Sequence, residues 1–369
     1  MADRTVVVVG AGITGAFAAL DLALRGAEVL LLERGKAPEG ATASIAGVLH
    51  GGARFLVSSP QTAAVCREES ETMRRIASDF LIADHGYFLV TGSTPDDYLE
   101  KFLSSAARAG VRVELSQAPR FEGLREGSVR AAYRTSDSVI DLQEFLLHLI
   151  WRAQREGVEY LNSAEIRSAR RVGDDEWELL VRRGSAERLV RGSVVLAAGH
   201  WIPQLLGEVF GASIPGLGRA RGSHALIARR VPTVIQLVRP PGIGDLAAPV
   251  RGGSFVGPTL VPGGDPSSPS DEEMRSLISS ASEFLELSPG DVLGWSSTGR
   301  LTFDQSLSIS PPDLVAAVSG LVLAYSSNMT CGRRTGEAAA DLVSARLGLG
   351  RGRTRDIVIG SERPRLTGP

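Results

Sequence analysis

A chain of 369 residues is longer than one hydrophobic core usually organises, so two domains are expected. With 43% hydrophobic and 22% charged residues it reads as globular, and a formal net charge of −2 leaves no electrostatic footprint for nucleic acid or an anionic membrane. Cys66 and Cys331 make neither a disulfide framework nor a metal-ligand spacing, so no metal is expected. Only Lys36 and Lys101 among 40 basic residues are lysines, which makes any anion site an arginine site.

In chain order, Thr5 to Val9 reads as a strand, Gly10-Ala11-Gly12-Ile13-Thr14-Gly15 as a turn, the stretch to Arg25 as a helix and Glu28 to Glu33 as a second strand. Ile13, Ala16, Phe17, Leu20 and Leu24 recur at helical spacing, giving that helix one apolar face to lay on a sheet. The apolar run Val6 to Leu24 is no secretory leader: it carries three spaced glycines and lacks a basic flank and a cleavage pattern, so the chain is expected to be cytoplasmic, with no membrane-spanning segment.

The six-residue turn is a G-x-G-x-x-G between strand and helix. The first glycine permits the tight turn, the second lets backbone approach a diphosphate, and the third lets helix and strand pack closely. The positive end of the helix dipole favours the negative charge by about 0.3–1 kcal/mol. Glu33 follows Gly15 by 18 residues, where a carboxylate accepts hydrogen bonds from ribose hydroxyls. This fingerprint predicts a dinucleotide and leaves NAD and FAD open.

Further along, helices are expected over Pro60 to Ala77 and over Asp141 to Glu156, the second with Asp141 as N-cap. Gly86 to Thr91, Val129 to Tyr133 and Ser223 to Ala228 read as strands of an antiparallel sheet. Val158 to Leu161, Ile166 to Val172, Trp177 to Val181 and Ser193 to Ala198 suit the nucleotide domain. Pro262 to Pro269 reads as an exposed loop, and the Arg-rich end as a loosely held tail. The fold class expected is α/β, α+β overall: a Rossmann-like FAD-binding domain (1–83, 141–208 and 312–350) interleaved with an antiparallel-sheet substrate domain (84–140 and 209–311), then a flexible tail (351–369).

The choice of FAD comes from a resemblance. Ala41-Thr42-Ala43-Ser44-Ile45-Ala46-Gly47-Val48-Leu49-His50-Gly51-Gly52-Ala53-Arg54-Phe55 resembles the second flavin-binding segment of the D-amino acid oxidase superfamily, and its second half looks most like the FAD-dependent glycerol-3-phosphate dehydrogenases. Val194-Val195-Leu196-Ala197-Ala198-Gly199-His200-Trp201 is similar to the strand motif beside the cofactor. Ala220-Arg221-Gly222-Ser223-His224 is similar to the start of a substrate-domain strand, and Gln236 through Arg239-Pro240-Pro241 and Gly244-Asp245 to Phe255-Val256-Gly257-Pro258-Thr259 to the hairpin that succeeds it. Gly332 to Val343 resembles the closing helix that points at the flavin.

The resemblance implies noncovalent FAD. It is expected to be held by Gly10, Gly12, Ile13, Thr14, Gly15, Glu33 and Arg34 at the first turn, by Thr42, Ser44, Gly47, Leu49 and His50 in the second segment, by Ile166, Ala198, Gly199 and Trp201, and by Asn328, Met329 and Thr330. It also implies oxidation of a CH-OH group in a small phosphorylated or phosphonylated, glycerol-3-phosphate-like substrate, with hydride transfer to flavin N5. His224 is the expected proton acceptor, Arg54 and Arg300 the catalytic anion binders, and Phe55 and Arg333 further substrate contacts. Two departures stand out. Thr298-Gly299-Arg300-Leu301 is one residue shorter than the family pattern, and Asn328 stands where such dehydrogenases carry a lysine. The long C-terminal extension of many such dehydrogenases is missing too, which leaves their partner subunit or membrane docking unsupported. The alternative is an amine or amino acid oxidase of the same fold, with an arginine clamping a carboxylate. A third reading is a flavoprotein that binds nucleotide without turnover. The electron acceptor, whether oxygen, quinone or protein carrier, is not legible.

Overall fold

The computed structural model describes residues 5–263, 269–304 and 313–361. Its centre is the strand Thr5–Val9, four of whose five residues are valine. Both faces of that strand are covered, which suits a β-branched run in a parallel sheet. Val6 and Val8 enter the core between the sheet and the helices, while Val7 and Val9 enter a second core on the other face, as the two-residue period of a strand requires. Parallel neighbours are Glu28–Leu32 on one side and the end of Ala186–Leu196 on the other; Glu159–Leu161 and Leu321–Ser326 extend the sheet outward. Asp313–Val318 closes one edge antiparallel.

Helices Ile13–Leu24, Leu142–Arg155 and Gly332–Leu347 lie on one face. Asp141 caps the second, its carboxylate accepting from the Glu144 N–H at 3.1 Å, as the sequence indicates. On the other face the antiparallel run Ala164–Arg171, Trp177–Arg183 and Ala186–Leu196 packs Trp177 against Phe210.

Among the described residues the second sheet has nine strands. Its longest ladder pairs Leu217–Ile227 antiparallel with Val292–Phe303, and Gly253–Gly257, Leu246–Val250, Val234–Leu237, Gly86–Val90, Ala131–Thr135 and Val113–Ser116 follow in order. One pair, Val234–Leu237 with Gly86–Val90, is parallel, so the sheet is mixed rather than antiparallel throughout. A small sheet of Gly47–Leu49, Ser138–Ile140 and Leu81–Ala83 stands apart from both.

Two elements of the β-rich regions are helices. Asp96–Ala109 opens on Asp96 and Asp97, ends at Gly110 in the left-handed conformation (φ 61°) and buries Phe102 and Ala106. Asp271–Ala281 is closed at its start by a capping box between Ser270 and Glu273. Tertiary burial of one apolar stripe decides both.

The expected loose tail is also corrected. Residues 351–361 dock: Thr354 and Ile359 are buried, Ile359 donates its N–H to the Ile76 carbonyl, and the Arg353 and Thr354 amides donate to Asp21. The Asp21 carboxylate also pairs with Arg25, so the segment completes a buried polar group on the first helix. Residues 362–369 and most of the expected loop, 264–268, lie outside the described residues. Ile359→Ala is expected to cost about 2 kcal/mol in denaturant unfolding, the usual loss for truncating a buried isoleucine, and an unchanged midpoint would contradict this docking.

Candidate functional site

A cavity of about 520 Å³ runs along the carboxyl ends of the parallel strands. One end is the glycine turn. Gly10 has φ 101°, and a Cβ there would lie 2.7 Å from the Ala197 carbonyl; a Cβ on Gly15 would lie 1.8 Å from the Gly10 carbonyl. Both glycines are therefore demanded by close approach, Gly15 through packing beneath the turn rather than on the cavity wall. Gly12 differs: its Cβ would meet only the Thr42 hydroxyl, at 3.1 Å, and its open side faces the cavity. Gly12 N-caps Ile13–Leu24 without a side-chain cap, so amides at that terminus are left to a ligand.

The Glu33 carboxylate accepts from the Ala11 N–H at 3.1 Å and from the Gly35 N–H at 2.9 Å, which fixes it at the cavity edge. Burial raises its pKa, with the two amides opposing. Thr42 accepts from the Ile13 N–H at 3.3 Å. Arg34 lies over the Trp201 ring at 4.5 Å and with it makes a flat wall. Ile13, Thr14, Ile166, Ala198, Gly199, Asn328 and Met329 also line the cavity. An uncapped helix start, a backbone cradle that a Cβ would fill and an acidic residue at the second strand's end together fit a dinucleotide.

Besides Gly15, five expected cofactor residues stand off the cavity lining. Gly47 is needed where a Cβ would lie 2.2 Å from the Ile140 carbonyl, and Leu49 belongs to the core. Thr330 is buried and accepts the His50 N–H at 2.9 Å, tying the second segment to the closing helix. The Ser44 carbonyl accepts from the Ser296 hydroxyl at 3.0 Å. His50 sits edge-on to Phe55 and 3.5 Å from Asp137.

At the other end, Arg300 and Thr298 reach the cavity from the long strand Val292–Phe303. Arg300 lies across Gly222, where a Cβ would come 3.0 Å from its Nε. Among the described residues its guanidinium has no hydrogen-bond or ion-pair partner, and burial, then nearby Arg54, lowers its pKa. Arg54 is engaged: it donates to Asp245 at 3.0 Å and to Gln236 at 3.2 Å. Asp245 therefore neutralises Arg54 and leaves the charge of Arg300 unmatched.

His224 is 6% exposed and stands in the wall beside Arg300 rather than on the cavity lining. Among the described residues its buried Nδ1 has no partner, and neither has the Thr298 hydroxyl. Burial, and then Arg300, push its pKa down to about 3, so the imidazole is neutral. His200, on the lining against Trp201, is pushed down to about 4 by burial and then by Arg219 and Arg34.

Two expected substrate contacts are corrected. Arg333 is 2% exposed and points into the protein, where both Glu69 oxygens, Glu337 and Thr354 take its donors. Removing a charge from water is costly unless it is paired, and here the pairing is internal, so Arg333 locks the closing helix to Pro60–Ile76. Phe55 packs in an apolar cluster with Phe88 and Phe102. Sequence reasoning passed over Asp245, Gln236 and Tyr98, whose hydroxyl is pushed up to about 12 by burial beside Arg54 and Asp245. The first two lie inside a quoted motif, but no single-residue signal marked them.

Gly12→Ala is expected to leave the thermal midpoint within a degree or two, since only the Thr42 hydroxyl must give, while weakening FAD uptake at least tenfold in a reconstitution titration; equal uptake would contradict the cradle. The two histidines generate a pH dependence. Their folded pKa values lie below the ordinary imidazole value of about 6.5, so the unfolded chain takes up protons first as pH falls below it. Unfolding free energy should drop by up to about 1.4 kcal/mol per pH unit per histidine down to about pH 4. His224→Gln should flatten that slope relative to the parent; parallel curves would contradict a neutral, buried imidazole.

Comparison with known proteins accords with this geometry. The family described as DAO, FAD dependent oxidoreductase, matches residues 5–342. The chain is 27% identical over 301 residues to anaerobic glycerol-3-phosphate dehydrogenase subunit A1 of Haloferax volcanii, covering 77% of this chain and 51% of that one. It is 31% identical over 306 residues to glycine oxidase of Pseudomonas aeruginosa, covering 77% and 79%. The fold matches the FAD-bound L-alpha-glycerophosphate oxidase of Mycoplasma pneumoniae with a TM-score of 0.74 at 14% identity, over 95% and 96% of the two chains. The chain spans about half the length of the dehydrogenase subunits it matches. Among the described residues no helix is long and apolar enough to cross a membrane. With the cradle and the motif order in agreement, the chain belongs to the DAO family of FAD-dependent oxidoreductases.

Proposed function

We propose that this oxidoreductase acts on a CH-OH carbon of a small anionic, glycerol-3-phosphate-like molecule. The observation that carries the reading is the Arg300 guanidinium, set on the cavity wall with no counter-ion among the described residues. An unmatched cation in a partly enclosed site is stabilised by an anion, and a planar guanidinium fits a phosphate or carboxylate edge. Asp245 and Gln236 hold Arg54 in a fixed direction behind it. Bound FAD supplies a hydride acceptor. The chain's part is to orient the anion on Arg300 and to offer the neutral imidazole of His224 to the substrate hydroxyl. Asn328 spends its side-chain oxygen on the Cys331 N–H at 3.1 Å and brings no charge where the related dehydrogenases have lysine. The charge of the anion is therefore matched by arginine alone. The electron acceptor, and any partner that would supply it, lie beyond this reading.

A second reading, oxidation of an amine or amino acid, is favoured by one observation: His224 stands in the wall rather than on the cavity lining. A neutral amine gives up its hydride without a base. The resemblance to glycine oxidase, over most of that protein's length, points the same way.

Anaerobic mixing of the FAD-loaded enzyme with glycerol 3-phosphate, other hydroxy-phosphates and phosphonates, and amino acids separates the two at the flavin absorbance band. Bleaching by a hydroxy-phosphate or hydroxy-phosphonate is expected. Arg300→Met should raise its half-saturating concentration roughly ten- to hundredfold, the equivalent of losing a charge-assisted hydrogen bond. Bleaching by amines alone would overturn the first reading.

A further inference from the structure

Tyr325 lies in the strand Leu321–Ser326 of the nucleotide-binding sheet, is 9% exposed and lines the cavity. Its ring belongs to the apolar cluster that contains Leu301. Its hydroxyl oxygen accepts the Leu301 N–H at 3.1 Å, reaching across to the second sheet one residue past Arg300. That bond fixes the direction of the phenol and leaves its own hydrogen to be given away. Among the described residues nothing accepts it. The charged neighbour that acts on it is Arg300, and a guanidinium carries donors only. Burial raises the tyrosine's pKa, so the hydrogen stays on the oxygen.

Tyr325 and Arg300, both on the cavity lining, therefore each keep a donor that finds no acceptor among the described residues. Buried donors in native structures are almost always satisfied, and an exception calls for a water or a ligand. A water could take one of these hydrogen bonds but would leave the charge of Arg300 unmatched; an oxyanion meets both demands at once. We propose that the Tyr325 hydroxyl is a substrate-binding donor that completes, with Arg300, a site for one oxyanion group, carboxylate or phosphate. The proposal rests on the anionic-substrate reading and deepens it. Where a lysine would add a second charge, this chain adds a neutral donor from a neighbouring strand.

The test uses the FAD-loaded enzyme titrated with inorganic phosphate and, separately, with acetate, read through the perturbation of flavin absorbance without turnover. Tyr325→Phe keeps the ring in its cluster and removes the hydroxyl. The apparent Kd of at least one anion should rise about tenfold. Arg300→Met should weaken the same anion at least as much, and the double variant should fall short of the product of the two, because both groups touch one ligand. If Tyr325→Phe binds both anions as the parent does while Arg300→Met is weakened, the proposal fails and the anionic-substrate reading stands. A fully multiplicative double variant also overturns the shared site. A parent enzyme that binds neither anion, or an Arg300→Met with unchanged affinity, defeats the reading itself.

Discussion

Everything in this fold depends on how closely the first helix can approach the first strand. The turn between them closes only because Gly15 has no side chain to strike the Gly10 carbonyl and Gly10 none to strike Ala197. That contact seats the N-terminus of Ile13–Leu24 at the carboxyl end of the sheet, and the uncapped amides and dipole there make it a place for negative charge. The buried valines of Thr5–Val9 hold the strand in both cores, so the turn cannot drift. Glu33 is then fixed by amides of the same turn and of its own strand end. Cofactor affinity is therefore a property of backbone and packing more than of any reactive side chain.

The substrate end is built on a different principle, the placement of unmatched polar groups. The long strand Val292–Phe303 is joined to the nucleotide-binding unit by Ser296 with Ser44 and by Leu301 with Tyr325. Between those two hydrogen bonds lie the residues that reach the cavity, Thr298 and Arg300. Gly222 lets the arginine lie flat against the neighbouring strand. The buried arginines Arg333 and Arg25 are matched, by Glu69 and Asp21. Against that background, a cation on a cavity lining with no partner among the described residues is placed for a ligand.

Much of this was legible in the amino-acid order because the nucleotide-binding half follows local rules. Alternating burial of valines, a helical apolar stripe, three glycines at fixed spacing and an Asp141 cap are each visible within a short window. The helix Asp96–Ala109 was also within reach, since Leu99, Phe102, Leu103 and Ala106 recur at helical spacing, but the strands on either side masked it. The direction of a side chain was not legible. Arg333 and Arg334 look alike in sequence; one is locked inside by Glu69 and the other pairs with Asp313 near the surface. Likewise nothing local says that Asp245 would neutralise Arg54, because the two are brought together only by the second sheet. The docked segment after residue 351 failed for the same reason: its partner, Asp21, lies more than three hundred residues earlier.

The most direct test of the account is the ultraviolet-visible spectrum of the purified chain, taken before and after incubation with FAD and removal of free cofactor. The account predicts flavin absorbance bands that remain with the protein at about one flavin per chain and are released on unfolding. A folded, colourless protein that retains no flavin under those conditions would contradict it.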